Sequence, residues 1–172
     1  MKLSTLLFTV LAAFTTSTML GQMNDKEERK SPPAEVTKKV GDATITINYS
    51  QPSMNDREIY GGLVPYGKVW RTGANEATTF ETDRALMING KKLPAGKYAL
   101  FTIPGEKEWT IIFNSNSKQW GAYDYKAEDD VLRVKAKPVE NDTTEKMTFI
   151  FTDDGVINLD WANTRVPFTV KS

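Results

Sequence analysis

The chain has 172 residues, with 22 basic and 22 acidic side chains, no histidine and no cysteine. This length suits one domain plus a targeting segment. The even charge gives no electrostatic footprint for nucleic acid or for an anionic membrane, and without disulfides the domain must be stabilised by its core.

The absence of histidine excludes several classes of enzyme. Histidine is the usual general base near neutral pH and the commonest transition-metal ligand. Ser-His-Asp and Cys-His catalysis are therefore excluded, as are ordinary zinc sites. We predict no metal site and no cofactor, and we expect a binding protein rather than an enzyme.

The first 21 residues have the pattern of a signal peptide. Lys2 supplies the positive start, residues 3–14 are apolar, and Gly21 is a small residue before a cut ahead of Gln22. The apolar run is shorter than the roughly 20 residues that a membrane-spanning helix needs. With no cysteine for a lipid anchor, we expect a protein exported to the periplasm or secreted, with no membrane contact after cleavage.

Residues 22–33 are charged and end in Pro32-Pro33, so they have little to bury and are predicted to be a flexible lead-in. A single domain is then predicted for residues 34–172. Its first clear strand is residues 43–51, where Ile45, Ile47 and Tyr49 alternate with polar side chains.

The stretch from Gly61 to Phe80 concentrates glycines, aromatic rings and charged side chains. Residues 64–67 suit a type I turn, residues 68–72 suggest a short strand, and Gly73-Ala74 suits a type II′ hairpin turn. In that register Arg71 faces Glu76. Because side chains alternate along a strand, Trp70 is expected to point away from the face that carries Arg71.

Turn residues recur at regular intervals after Phe80. Asn89-Gly90 is the strongest short hairpin signal, and residues 97–103 and 109–113 are apolar on both faces, which suits central strands covered on both sides. Alternating segments follow residue 131, with one further turn predicted at residues 162–164. We predict an all-β fold, an antiparallel β-sandwich or jelly-roll-like barrel of about 8–10 strands.

The windows LVPYGKVWRTGANEATTF, INGKKLPAGKYALFTIPGEKEWTIIF and QWGAY occur in this order along the chain. On these motifs the chain closely resembles the domain of unknown function 2911 family, typified by exported proteins of Bacteroidetes. The resemblance extends from about Ser31 to the end. It implies export and a single β-rich domain. It carries no established activity, so no catalytic residue is transferred from it.

Six residues are candidates for ligand binding. Arg71, Asn75 and Glu76 could form a polar anchor for a carboxylate, a phosphate or a pair of sugar hydroxyls. The alternative is a cross-strand Arg71–Glu76 ion pair worth about 0.2–1 kcal/mol, with Asn75 as an ordinary turn residue.

Aromatic residues could supply the apolar wall of the site. Tyr66, Trp120 and Tyr123 are the candidates, because stacking rings suit sugars and peptides. Trp120, Tyr123 and Tyr125 belong to the irregular segment 114–130, where they could bind a ligand or pin the loop. Trp109 and Trp161 lie in alternating apolar runs and are predicted to be core residues.

The leading hypothesis is non-catalytic binding of a small polar ligand, a glycan or a peptide. One alternative is a carboxylate-dependent hydrolase of exported polymers, with its acids among Glu76, Asp124, Glu128, Asp129 and Asp130. Another is an interaction module whose exposed edge strand pairs with a partner protein. The oligomeric state is left open.

Overall fold

The computed structural model describes residues 29–172. The signal peptide predicted for residues 1–21, and residues 22–28 of the predicted lead-in, lie outside the described residues. The strands are β1 (Pro33–Val40), β2 (Ala43–Ser50), β3 (Thr79–Thr82), β4 (Leu86–Ile88), β5 (Lys91–Leu93), β6 (Gly96–Ile103), β7 (Trp109–Asn114), β8 (Asp130–Ala136), β9 (Val139–Phe151) and β10 (Val156–Lys171). One 3-10 turn spans Ala127–Asp129. Over the described range, no helix is long and apolar enough to span a bilayer.

The strands form two antiparallel sheets. One sheet has six strands in the order β1-β2-β3-β6-β7-β8, and the other has four in the order β5-β4-β10-β9. Side chains from both sheets share one hydrophobic core, in which the rings of Tyr49 and Phe149 meet edge to face at 5.0 Å. The predicted all-β sandwich is confirmed, and the described strands close no barrel.

The core follows the alternation of the sequence. Ala43, Ile45, Ile47 and Tyr49 of β2 are buried, with polar residues between them. Burying an aliphatic side chain of this size stabilises the fold by about 1.5–3 kcal/mol. Trp109 and Trp161 are each only 1% exposed, which confirms the prediction that both are core residues.

The six-stranded sheet is also covered on its outer face. Phe101 of β6 and Ile112 of β7 are fully buried and form a second apolar cluster with Ala77 from the loop before β3. Ala122 and Tyr125, from the segment between β7 and β8, pack against the same cluster. The prediction that β6 and β7 are covered on both sides is therefore confirmed, and the two covering segments are the ones that carry the candidate site.

Two turn predictions can be compared with the backbone. Asn89 and Gly90 have φ of 44° and 78° between the paired strands β4 and β5, as a type I′ hairpin requires. The turn predicted at residues 162–164 lies inside β10, where Ala162 has φ of 52° and the pairing with β9 shifts register. Val170 N–H donates to Gly155 O at 2.7 Å. Gly155 and Val170 are fifteen positions apart, and an extended chain of that length would span about 50 Å. Because the two residues are in contact, the chain reverses within β10.

Candidate functional site

The loop before β3 does not form the predicted hairpin. Residues 68–72 are not a strand, and Trp70 makes only an isolated bridge with Thr102 of β6. Thr72 and Asn75 are left-handed, with φ of 55° and 57°, and the hydroxyl of Thr78 donates to Thr72 O at 2.7 Å. The prediction of a Gly73-Ala74 hairpin is wrong, because the pairing of Trp70 with β6 and the buried Thr78 bond close a wider loop.

This loop meets the segment between β7 and β8. Glu76 and Trp120 form an isolated antiparallel bridge. Ala77 N–H donates to Gln119 O at 3.0 Å, and Gly121 N–H donates to Asn75 O at 3.1 Å. The structure therefore brings together two segments whose candidate residues are more than 40 positions apart in the sequence.

Glu76 is paired with Arg29 and not with Arg71. Arg29 Nη1 lies 2.8 Å from both carboxylate oxygens of Glu76. The same guanidinium lies 6.0 Å from the centroid of a Trp120 ring, at the limit of the cation–π range. We call Glu76 and Trp120 together the cation cradle. The sequence prediction that Arg71 faces Glu76 is wrong, since it assumed the hairpin that does not form.

Residues 29–32, which we call the N-terminal strap, are tied to the body of the domain. Asn75 Nδ2 donates to Ser31 O at 3.2 Å, and Gln51 N–H donates to Pro32 O at 2.9 Å. Asn75 thus bonds the strap rather than its own loop. The strap lies beside the candidate residues and places Arg29 on the cradle.

Arg71 lies half-buried in a depression of about 340 Å³, which we call the Arg71 depression. Its Nε is shielded from solvent and has no hydrogen-bond partner. Across residues 29–172 the guanidinium has no acidic partner. Arginine keeps its proton in proteins, and a partly buried charge without a counter-ion is costly.

A second guanidinium lines the same depression. Arg57 donates from Nε to Met54 O at 2.9 Å and from Nη2 to Ser53 O at 2.7 Å, so its contacts in the structure are with neutral carbonyl groups. The other lining residues include Trp70, Asn75, Ser31 and Trp161, and none of the lining residues within 29–172 is acidic. The depression therefore has a positive electrostatic character.

Sequence reasoning missed two contributors to this depression. Trp70 was expected to point away from Arg71, yet both line the depression, because residues 68–72 are not a strand and the alternation rule does not apply. Arg57 lies in a polar connection with no motif around it. Arg57 is identified as a site residue only because it lines the same depression as Arg71. Local sequence patterns do not contain that information.

The predicted aromatic wall is divided. Trp120 is 54% exposed and Tyr123 is 84% exposed. A Cβ at Gly121, between them in the chain, would lie 3.1 Å from the Tyr123 ring and 3.8 Å from Arg71 Nη1, so this segment borders the Arg71 side chain. Tyr66 does not line the Arg71 depression; it lies with Tyr60 in a neighbouring depression of about 260 Å³, and Arg57 lines both.

Tyr125 pins its loop. Its hydroxyl donates to Asp130 Oδ2 at 2.7 Å and accepts from Arg133 Nη2 at 2.6 Å, while its ring meets Phe101 edge to face at 5.0 Å. Burial, together with the hydrogen bond and the charge of Asp130, raises the pKa of Tyr125 to about 12. The sequence left two roles open for Tyr125, ligand binding and anchoring of the loop, and these contacts are those of an anchor.

Two of the candidate acids, Asp130 and Glu76, are bonded by other side chains. The Asp130 side chain is almost fully buried and is bonded by Asn114, Tyr125 and Arg133, and Glu76 is bonded by Arg29. Within the described part of the chain, no group of three or more acidic, histidine or cysteine side chains is arranged to hold a metal ion.

Comparison with known families agrees with the resemblance read from the sequence. Residues 31–170 match the family model described as Protein of unknown function (DUF2911). No curated protein and no solved structure matches the chain.

Proposed function

The chain belongs to the DUF2911 family of proteins of unknown function, and we propose that it binds a small anionic or polar ligand in the Arg71 depression without catalysing a reaction. The observation that carries the proposal is the half-buried guanidinium of Arg71, which has no acidic partner in residues 29–172. A ligand carboxylate or phosphate would supply the missing counter-charge. Arginine suits these groups because its planar fork can donate two parallel hydrogen bonds.

The surroundings of Arg71 support a ligand of modest size. The depression of about 340 Å³ is at the lower end of the range for small-molecule sites. Trp70, stacked at 5.8 Å on the buried Trp161, gives it an aromatic wall, and Arg57 adds a second positive charge. An acidic sugar, a phosphorylated sugar or the carboxyl end of a short peptide has this combination of an anion and an apolar body.

A thermal-shift screen of acidic sugars, sugar phosphates and short peptides, each with its neutral counterpart, tests the proposal. The wild-type protein should be stabilised by at least one anionic compound and not by the neutral counterpart, and Arg71→Ala should lose that shift. Arg71→Lys should lose most of it, because an ammonium cannot donate a planar fork.

Arg84→Ala is the matched control. Arg84 is an exposed arginine whose Nε donates to Asp42 O at 3.0 Å, and it does not line the Arg71 depression. The Arg84→Ala variant should bind the ligand as the wild type does. A shift that survives in Arg71→Ala would remove Arg71 from the site.

A further inference from the structure

We propose that the cation cradle is a recognition site for an arginine side chain of a basic peptide, and that Arg29 of the N-terminal strap occupies it in cis. This inference uses contacts separate from those of the Arg71 depression. It assigns a cationic partner to the cation cradle, which lies beside the proposed anion site.

The backbone presents the two cradle residues together. Glu76 and Trp120 are directly opposite each other in an antiparallel bridge, and residues in this relation project their side chains from the same face. The bridge is flanked by the bond from Gly121 N–H to Asn75 O and by the bond from Ala77 N–H to Gln119 O. The carboxylate and the indole are therefore positioned by main-chain bonds that do not depend on the bound cation.

The chemistry of the cradle suits a guanidinium. Arg29 Nη1 bonds both oxygens of Glu76 at 2.8 Å while the guanidinium lies near the Trp120 ring. A carboxylate that accepts charge-assisted bonds and an aromatic face that attracts cations are the two usual elements of arginine recognition. Arg29 thus shows how an arginine from another chain would be held.

The contact is also open enough to exchange. The Arg29 and Glu76 side chains are 28% and 45% exposed, and more than half of Trp120 faces solvent. Exposed ion pairs are weakly favourable and are screened by salt. Ser31 O and Pro32 O accept bonds from Asn75 and Gln51, which hold the strap at positions after Arg29, so the Arg29 side chain can leave the cradle while the strap stays attached.

The test is a calorimetric titration of the full chain with the peptide acetyl-Ala-Arg-Ala-amide at low salt, with acetyl-Ala-Gln-Ala-amide as the uncharged control. Arg29→Ala removes this cis competitor and should bind the arginine peptide about two- to fivefold more tightly than the wild type, since an exposed ion pair occupies the cradle only with a weak preference. Adding Trp120→Ala or Glu76→Gln to Arg29→Ala should reverse the gain.

Trp120→Ala keeps the test decisive if Glu76→Gln fails to fold, because the Trp120 side chain is largely exposed. The double variant Arg29→Ala, Arg71→Ala should keep the gain, which separates this inference from the anion site. The inference is overturned if Arg29→Ala binds no more tightly than the wild type, if the glutamine peptide binds equally well, or if Trp120→Ala leaves the gain unchanged.

Discussion

Arg29 Nη1 lies 2.8 Å from both carboxylate oxygens of Glu76, and this pairing leaves the nearby guanidinium of Arg71 without an acidic partner in residues 29–172. Two arginines of the same region thus have opposite electrostatic situations. Both are half-buried, but Arg29 is neutralised by Glu76, whereas Arg71 lies in a depression with no acidic lining residue within 29–172. A partly buried charge without a counter-ion costs the fold free energy, and a bound anion would offset that cost.

Arg71→Met should not destabilise the protein when no ligand is present. The substitution removes a partly buried charge that has no counter-ion and keeps much of the apolar stem. We expect the free energy of unfolding to rise, or to stay within about 0.5 kcal/mol of the wild type. Urea unfolding monitored by tryptophan fluorescence gives this value.

Arg165→Met is the comparison that shows what an arginine in a structural pair contributes. Arg165 donates to both carboxylate oxygens of Asp160, whose side chain is 3% exposed. Its loss should cost about 3–5 kcal/mol, since a buried charge is left unpaired. If Arg71→Met were destabilised to a similar extent, Arg71 would be a structural residue and not a ligand anchor.

The left-handed backbone of Asn75 makes a second prediction. Asn75 has φ of 57° and its side chain bonds Ser31 O. Asn75→Gly should keep the left-handed conformation and lose only the side-chain hydrogen bond to Ser31 O. Asn75→Ala should lose that hydrogen bond and also strain the left-handed backbone. We expect the alanine variant to be less stable than the glycine variant by about 1 kcal/mol, measured by urea unfolding. The reverse order would indicate that residue 75 does not adopt this conformation.

Alkaline pH should weaken the fold through Tyr125. Its pKa in the folded protein is raised to about 12, against about 10 in an unfolded chain. A raised pKa means that the contribution is complete below about pH 10 and is lost as the pH rises toward 12. Tyr125→Phe should therefore show a smaller fall in its urea midpoint between pH 9 and pH 12 than the wild type. Equal falls would contradict this role.

Much of the fold could be predicted because it depends on local patterns. The alternation of Ile45, Ile47 and Tyr49 fixes which face of β2 is buried, and Asn89-Gly90 has the residues that a type I′ turn requires. The double-sided apolar run of β6 likewise indicates a covered central strand. In each case neighbouring residues contain the information.

The candidate site could be predicted only in part because it depends on distant contacts. Gly73-Ala74 suits a tight turn locally, but Thr78 and Thr102 impose a wider loop. Arg29 lies 47 positions from Glu76, in a segment whose composition indicates only a solvated lead-in. The residue types were recognisable from the sequence, and their pairing needed the tertiary structure.

The most direct test of the central claim is the side-chain Nε–H signal of Arg71, followed by NMR while the anionic compounds of the thermal-shift screen are added. If the Arg71 depression binds an anion, this signal should shift saturably with at least one of them, while the signal of Arg84 stays in place. An Arg71 signal that does not move at any ligand concentration, or that moves only in parallel with Arg84, would contradict the account.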